Sequence, residues 1–202
     1  MASVYDGVVS RYLNRWLSRP AARALSHTSV SPNLVSLGAL AVACGAFASF
    51  VVGLPILGGV LAQSSSIVDG VDGDLARITG KASAFGGFFD AVLDRYADGL
   101  IILGLTIWAA DGAETRVWIA GVWAIVGALT VSYTRARIEG VPRTFFDRGL
   151  TSLASRDIRL LVVMIGSVVG QGFITLVVLA GVTNLVVLMR LVAARSALAP
   201  ER

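Results

Sequence analysis

Six of the 13 acidic side chains fall between Asp69 and Asp98, inside the hydrophobic part of the chain. Asp69 and Asp72 are three residues apart, and Asp90, Asp94 and Asp98 follow at intervals of four. On helices those spacings put each set on one face. Ionised carboxylates in hydrocarbon are costly and face a partner or a polar cavity, and four of them together repel one another. A divalent cation removes the repulsion. His27 and Cys44 are the only residues of their kinds, so an ion here takes oxygen ligands, which favours Mg²⁺, Mn²⁺ or Ca²⁺. Two carboxylates from each of two helices can hold two ions about 4 Å apart, the arrangement that clamps a phosphate during in-line displacement. Arg77 can meet phosphate oxygens in a fork. Gly70, Gly73, Gly86 and Gly87 open the backbone to a bulky ligand, and Ser64, Ser65 and Ser66 are expected to keep the approach polar. The competing reading is that the aspartates merely pair with arginines to tie helices together. Four regularly spaced aspartates with flanking glycines favour a site.

The composition states what must carry these residues. The chain has 202 residues, 55% apolar and 15% charged, with a mean hydropathy of +0.77; soluble domains carry roughly 25% charged residues. One cysteine excludes an internal disulfide and a cysteine-based zinc site, and a single histidine leaves no basis for a histidine-rich metal site. The net charge of +4 comes from arginines and Lys81. In so apolar a chain it indicates a membrane, and no nucleic-acid partner is expected.

Stretches of about 20 apolar residues mark bilayer-spanning helices. Asn33–Gly53, Pro55–Ser66 running on into the aspartates, Ala84–Ala110, Val117–Tyr133, Leu160–Gly170 (starting near Arg156) and Phe173–Val192 predict six. The expected fold is therefore all-α and polytopic: six transmembrane helices over residues 32–202, preceded by a juxtamembrane segment over residues 1–31. In that segment Arg11, Arg15, Arg19 and Arg23 recur every fourth residue, with Tyr5, Val8, Tyr12, Leu13, Trp16 and Leu17 mostly off their stripe. This pattern predicts an amphipathic interfacial helix, interrupted or restarted at Pro20. Trp108, Trp118 and Trp123 suit the aromatic belts. Basic connectors stay cytoplasmic. Arginines fill the N-terminal segment, the connector holding Arg135, Arg137, Arg143, Arg148, Arg156 and Arg159, and the tail with Arg190, Arg195 and Arg202. Both termini and the acidic cluster are thus expected on the cytoplasmic side of an inner membrane.

The stretch DGVDGDLARITGKASAFGGFFDAVLD, Asp69–Asp94, resembles the CDP-alcohol phosphotransferase signature D-x2-D-G-x2-A-R-x8-G-x3-D-x3-D without departure. Asp69, Asp72, Gly73, Ala76, Arg77, Gly86, Asp90 and Asp94 fill its eight fixed positions, and the predicted spans suit the family fold. The resemblance implies transfer of a phosphoryl-alcohol group from a CDP-alcohol to a second alcohol, with release of CMP. It implies that Asp69, Asp72, Asp90 and Asp94 hold Mg²⁺ or Mn²⁺, two ions in all, with Asp94 also the base. Pro32, Asn33, Asp69, Gly73, Arg77, Ser83 and Gly86 are implied as CDP-alcohol contacts, and Ala76 as packing. A homodimer is implied, for which Gly99, Gly104, Gly121 and Gly127 offer close helix contact.

The segments around Arg95–Gly99 and Ser132–Arg137 resemble a subgroup whose acceptor is inositol phosphate. By that likeness Arg135, Arg159 and Arg190 would hold the acceptor phosphate; the alternative is that such arginines set topology and meet anionic lipid. The opening and Ser64–Arg77 look most like the membrane portion of di-myo-inositol-phosphate-phosphate synthases. There a cytidylyltransferase domain or partner supplies CDP-inositol. CDP-diacylglycerol is the alternative donor, as in phosphatidylinositol-phosphate or phosphatidylglycerol-phosphate synthases. A cation- or proton-coupled transporter is the alternative of another class, but the chain shows no repeated halves.

Overall fold

The computed structural model describes residues 14–110, 114–137 and 153–197, with residues 196 and 197 described by backbone alone. Seven helices form among them: α1 (Arg15–Ser26), α2 (Pro32–Val51), α3 (Pro55–Ile78), α4 (Ala84–Ala109), α5 (Thr115–Arg137), α6 (Arg156–Val168) and α7 (Gly172–Ala197). Local chemistry explains their ends. Ser31, in extended backbone, accepts from the Leu34 amide at 3.3 Å, and Pro32 opens α2, where its missing N–H costs nothing. Ser83 caps α4 in the same way, accepting from Gly86 at 3.0 Å. Between α3 and α4 the chain reverses at Gly80, whose φ of +67° suits a residue without a Cβ. The Lys81 amide there bonds back to Ala76 O at 3.0 Å. This tight stop turns the chain from α3 into α4, and both aspartate-bearing helices pack against α2.

Helix α2 packs on α3 and α4, α6 lies on α3, and α5 pairs with α7. Phe50, Ile101, Leu105, Leu160, Val163 and Leu176 fill the centre. Large apolar side chains also face outward, among them Val52, Ile119, Trp123, Leu188 and Val192, as a chain solvated by lipid requires. Trp118 and Trp123 are exposed, whereas Trp108 packs on Phe50 with ring centroids 6.4 Å apart.

Among the described residues, three helices are long and apolar enough to cross a membrane: α2, α5 and α7. The other three expected spans differ for physical reasons. Helices α3 and α4 have 24 and 26 residues but carry the aspartates, and α6 has only 13, about 20 Å at 1.5 Å per residue. Helix α1 runs continuously through Pro20, so the expected interruption is absent; the cost is one missing hydrogen bond of the ladder. Its inner face is polar and small: Asn14, Ser18 and Ala22 are buried. The Asn14 amide donates to Ser66 Oγ (3.1 Å) and accepts from Gln63 (3.0 Å), while Ser18 donates to Asp74 (3.3 Å). Arg15 is buried as well, Arg19 and Arg23 are exposed, and Trp16 and Leu17 point away from the bundle. Tyr5, Val8, Arg11, Tyr12 and Leu13 lie outside the described residues, as do Arg143, Arg148 and Arg202.

Glycines expected at a dimer contact are largely consumed within the chain. A Cβ on Gly104 would lie 3.0 Å from Phe47 Cα, one on Gly121 would strike Thr106, and one on Gly127 would strike Thr183; Gly99 has open space. Gly104→Leu is therefore expected to destabilise by about 1–3 kcal/mol through overpacking, and Gly99→Leu to cause no loss, as read by thermal unfolding in detergent.

Candidate active site

Contacts join the N-terminal parts of α2, α4 and α6 to the C-terminal half of α3, and the C-terminal parts of α5 and α7 to one another. Asp69 and Asp72 lie on consecutive turns of α3, and Asp90 faces them from α4. One carboxylate oxygen from each of the three lies within 4.8 Å of the other two. Asp72 is buried and receives a hydrogen bond from Ser36 on α2. Asp90 Oδ1 is buried without a hydrogen-bond partner. Three carboxylates, one carrying an orphaned buried oxygen, fit a hard cation, which would satisfy both the charge and the lone pairs.

Asp94, one turn beyond Asp90, stands beside this trio rather than within it. It adjoins Asp69, its Oδ1 is 2.9 Å from Arg156 Nη1, and its Oδ2 is 3.8 Å from Arg95. Arg156 opens α6 and was not expected as a site residue. Its Nη1 is also 2.8 Å from Asp69 Oδ2, and its Nε donates to Asp98 Oδ1 at 3.1 Å. One guanidinium thus joins three carboxylates from two helices. Asp98 is fully buried and takes a second ion pair from Arg159. Arg159 is itself buried and donates to Ala154 O at 2.5 Å.

The expected nucleotide contacts also converge. A Cβ on Gly86 would lie 3.1 Å from Ser83 Oγ and 3.3 Å from Asn33 Oδ1, so Pro32–Asn33, Ser83 and Gly86 share one corner. Gly73 faces only the Arg77 guanidinium, 3.7 Å from an ideal Cβ. Arg77 is more than half exposed and pairs with Asp74 at 3.0 Å. Two helix N-termini, those of α2 and α4, open onto this corner, which suits an anionic ligand.

The expected acceptor arginines are less alike than the sequence suggests. Arg135 is half-buried in the last turn of α5. Arg190 is buried and donates to Val131 O at 2.6 Å and Thr134 Oγ1 at 3.1 Å, tying α7 to α5. Arg159 is committed to Asp98. The serines behind Asp69 serve packing rather than an approach path: Ser65 bonds Ala39 O at 3.1 Å, Ser64 bonds Val60 O at 2.8 Å, and Ser66 receives Asn14.

Comparisons with known proteins give the family and the fold. Residues 29–154 match the family model described as CDP-alcohol phosphatidyltransferase. A bifunctional IPC transferase and DIPP synthase of Rubrobacter xylanophilus is 44% identical over 197 residues, covering 95% of this chain. The chain spans only 43% of that relative's length. The phosphatidylinositol phosphate synthase of Mycolicibacterium smegmatis is 34% identical over 169 residues, covering 83% of this chain and 73% of that enzyme. Structures of the Mycobacterium tuberculosis phosphatidylinositol phosphate synthase share the fold. The apo form gives a TM-score of 0.76 at 26% identity, covering 91% of this chain and 99% of that one. The form with CDP-DAG bound gives 0.74 at 23% (93% and 99% covered), and the form with manganese and citrate 0.72 at 24% (92% and 93%). With the signature complete and these relatives alongside, the chain belongs to the CDP-alcohol phosphatidyltransferase family.

Proposed function

We propose that the chain transfers a phosphoinositol group from CDP-inositol to an inositol phosphate, releasing CMP. The observation that carries the transfer chemistry is the trio Asp69, Asp72 and Asp90, set between the Asn33–Ser83–Gly86 corner and Asp94. The inositol donor rests on the 44% identity to an enzyme named for DIPP synthesis. CDP-inositol would come from a cytidylyltransferase domain or partner. CDP-diacylglycerol is the second reading, supported by the M. smegmatis relative and by the neighbour holding CDP-DAG.

Mg²⁺ or Mn²⁺, two ions held by Asp69, Asp72, Asp90 and Asp94, would supply charge neutralisation at the diphosphate and at the transferred phosphorus. Asn33, Ser83, Gly73 and Gly86 bind the cytidine end, where glycine leaves room for the base against the helices. Arg77, exposed one turn beyond Gly73, pairs with the diphosphate. Asp94 accepts the proton of the acceptor hydroxyl as its oxygen attacks phosphorus and the bond to CMP breaks. Arg135 meets the acceptor phosphate, with Arg159 and Arg190 forming the basic wall behind it. The arginine-rich connectors support a cytoplasmic position for this end of the protein, where CDP-linked substrates are found, and the proposal keeps six spans and a homodimer.

CMP release by purified protein, across CDP-inositol and CDP-diacylglycerol with inositol phosphate, inositol and glycerol phosphate, tests this reading. Activity should vanish in EDTA and return with Mg²⁺ or Mn²⁺. Full activity in chelator removes the metal reading, and activity with CDP-diacylglycerol alone replaces the donor.

A further inference from the structure

We propose that Arg156 is a positioning residue that acts as a built-in counter-cation, sharing the Asp69 carboxylate with the metal and thereby holding metal affinity down. The proposal rests on reading Asp69, Asp72 and Asp90 as the metal ligands. Five carboxylates crowd this end of α3 and α4: Asp69, Asp72, Asp90, Asp94 and Asp98. Among the described residues, Arg156 and Arg159, both from α6, are the guanidinium groups paired into them at 3.1 Å or less. The two divide the work. Arg159 is buried against Asp98 and Ala154 O, away from the trio. Arg156 reaches further, with one nitrogen 2.8 Å from Asp69 Oδ2 and 2.9 Å from Asp94 Oδ1.

Asp69 therefore belongs to two groups at once. One of its oxygens joins the carboxylate trio, and Oδ2 meets the guanidinium. A divalent ion in the trio and the guanidinium draw on the same carboxylate and repel one another at short range, where little water screens them. Asp98 fixes the far side of Arg156 through Nε, so the guanidinium is not free to swing away when an ion enters. The same fork sets the spacing of Asp94 from Asp69. Arg156 thus places the base and limits the charge that the trio presents to the metal. A lysine could supply the charge at one point but not the fork.

Metal binding without substrate separates these statements. Full-length protein in nanodiscs, stripped with EDTA, is titrated with Mn²⁺ alone, and free Mn²⁺ is read by electron paramagnetic resonance. Arg156→Gln should bind Mn²⁺ more tightly than wild type, by about tenfold, because a neighbouring positive charge is gone. Its metal-free form should melt below wild type, and Mn²⁺ should raise its melting temperature by more. Arg156→Lys should stay within about twofold of wild type in Mn²⁺ affinity. Recovery of R156Q only with Mn²⁺ in every buffer is also an expected result, since the ion then replaces the lost charge. An R156Q affinity that is unchanged or weaker overturns the proposal. So does an R156K shift beyond about fivefold, or an R156Q protein that fails to fold in Mn²⁺ while R156K folds. If wild type binds no Mn²⁺, the metal reading itself fails and this proposal falls with it.

Discussion

Asp94→Asn is expected to lower CMP release by roughly 10²–10⁴-fold, the usual loss when a general base is removed. Asparagine keeps the shape beside Arg156, whose Nη1 lies 2.9 Å from Asp94 Oδ1, and leaves the Arg156 Nε bond to Asp98 in place. What is lost is the negative charge and the lone pair able to take a proton. Asp94 stands beside the trio of Asp69, Asp72 and Asp90 and is not one of the three. CDP-alcohol binding by calorimetry should therefore weaken less than it does when a member of the trio is lost. Asp90→Asn provides the contrast: it removes a member of the trio, and its turnover should fall together with Mn²⁺ affinity. Comparable loss of Mn²⁺ binding in both variants would make Asp94 a ligand first and leave the proton to another acceptor.

The parts of this site that were legible in the sequence are those set by local geometry. Residues three and four apart share a helix face wherever the helix lies, so the grouping of Asp69 with Asp72, and of Asp90 with Asp94 and Asp98, needed no tertiary information. Several helix ends were legible too: the expected spans open at Asn33, Pro55 and Ala84 and close at Gly53 and Gly170, within a residue or two of the observed ends.

What could not be read depends on packing between distant segments. Arg156 looks like any other arginine of its connector; only the docking of α6 on α3 separates it from Arg135 or Arg137. Its position at the start of a helix, behind Ser155 and beside Asp157, was the one available signal. Ser36 is one hydroxyl among several, and its role follows from α2 lying against Asp72. Small residues misled in the same way. Gly104, Gly121 and Gly127 suit a contact between subunits and a contact between helices equally well, and the chain uses them for the second. Ser65 and Ser66 bind helix neighbours instead of lining an approach, because a hydroxyl near a bilayer core satisfies a backbone carbonyl or a side-chain amide as readily as a ligand.

The second large effect falls on stability. Arg159→Ala should destabilise the protein by about 3–5 kcal/mol, the cost of leaving a buried charge without its partner. Asp98 is 1% exposed and Arg159 4%, so water cannot take the place of either. Arg156 keeps its bond to Asp98 Oδ1 at 3.1 Å, which holds the effect toward the lower end of that range. Asp98→Ala should cost more, because it strands Arg159 and also frees Arg156 from the anchor that aims it at Asp69 and Asp94. The double variant Asp98→Leu/Arg159→Met replaces the pair with apolar groups of similar size. It should recover much of the loss, since well-packed apolar groups can match a buried ion pair. Thermal unfolding in nanodiscs measures all three. A residue that only grips the acceptor phosphate would behave otherwise: R159A would melt near wild type and show its defect as a raised acceptor KM. Arg135→Ala should follow that second pattern, with melting unchanged and the acceptor KM raised. Two arginines grouped together by the sequence would then separate by measurement, one holding α6 to α4 and the other meeting substrate.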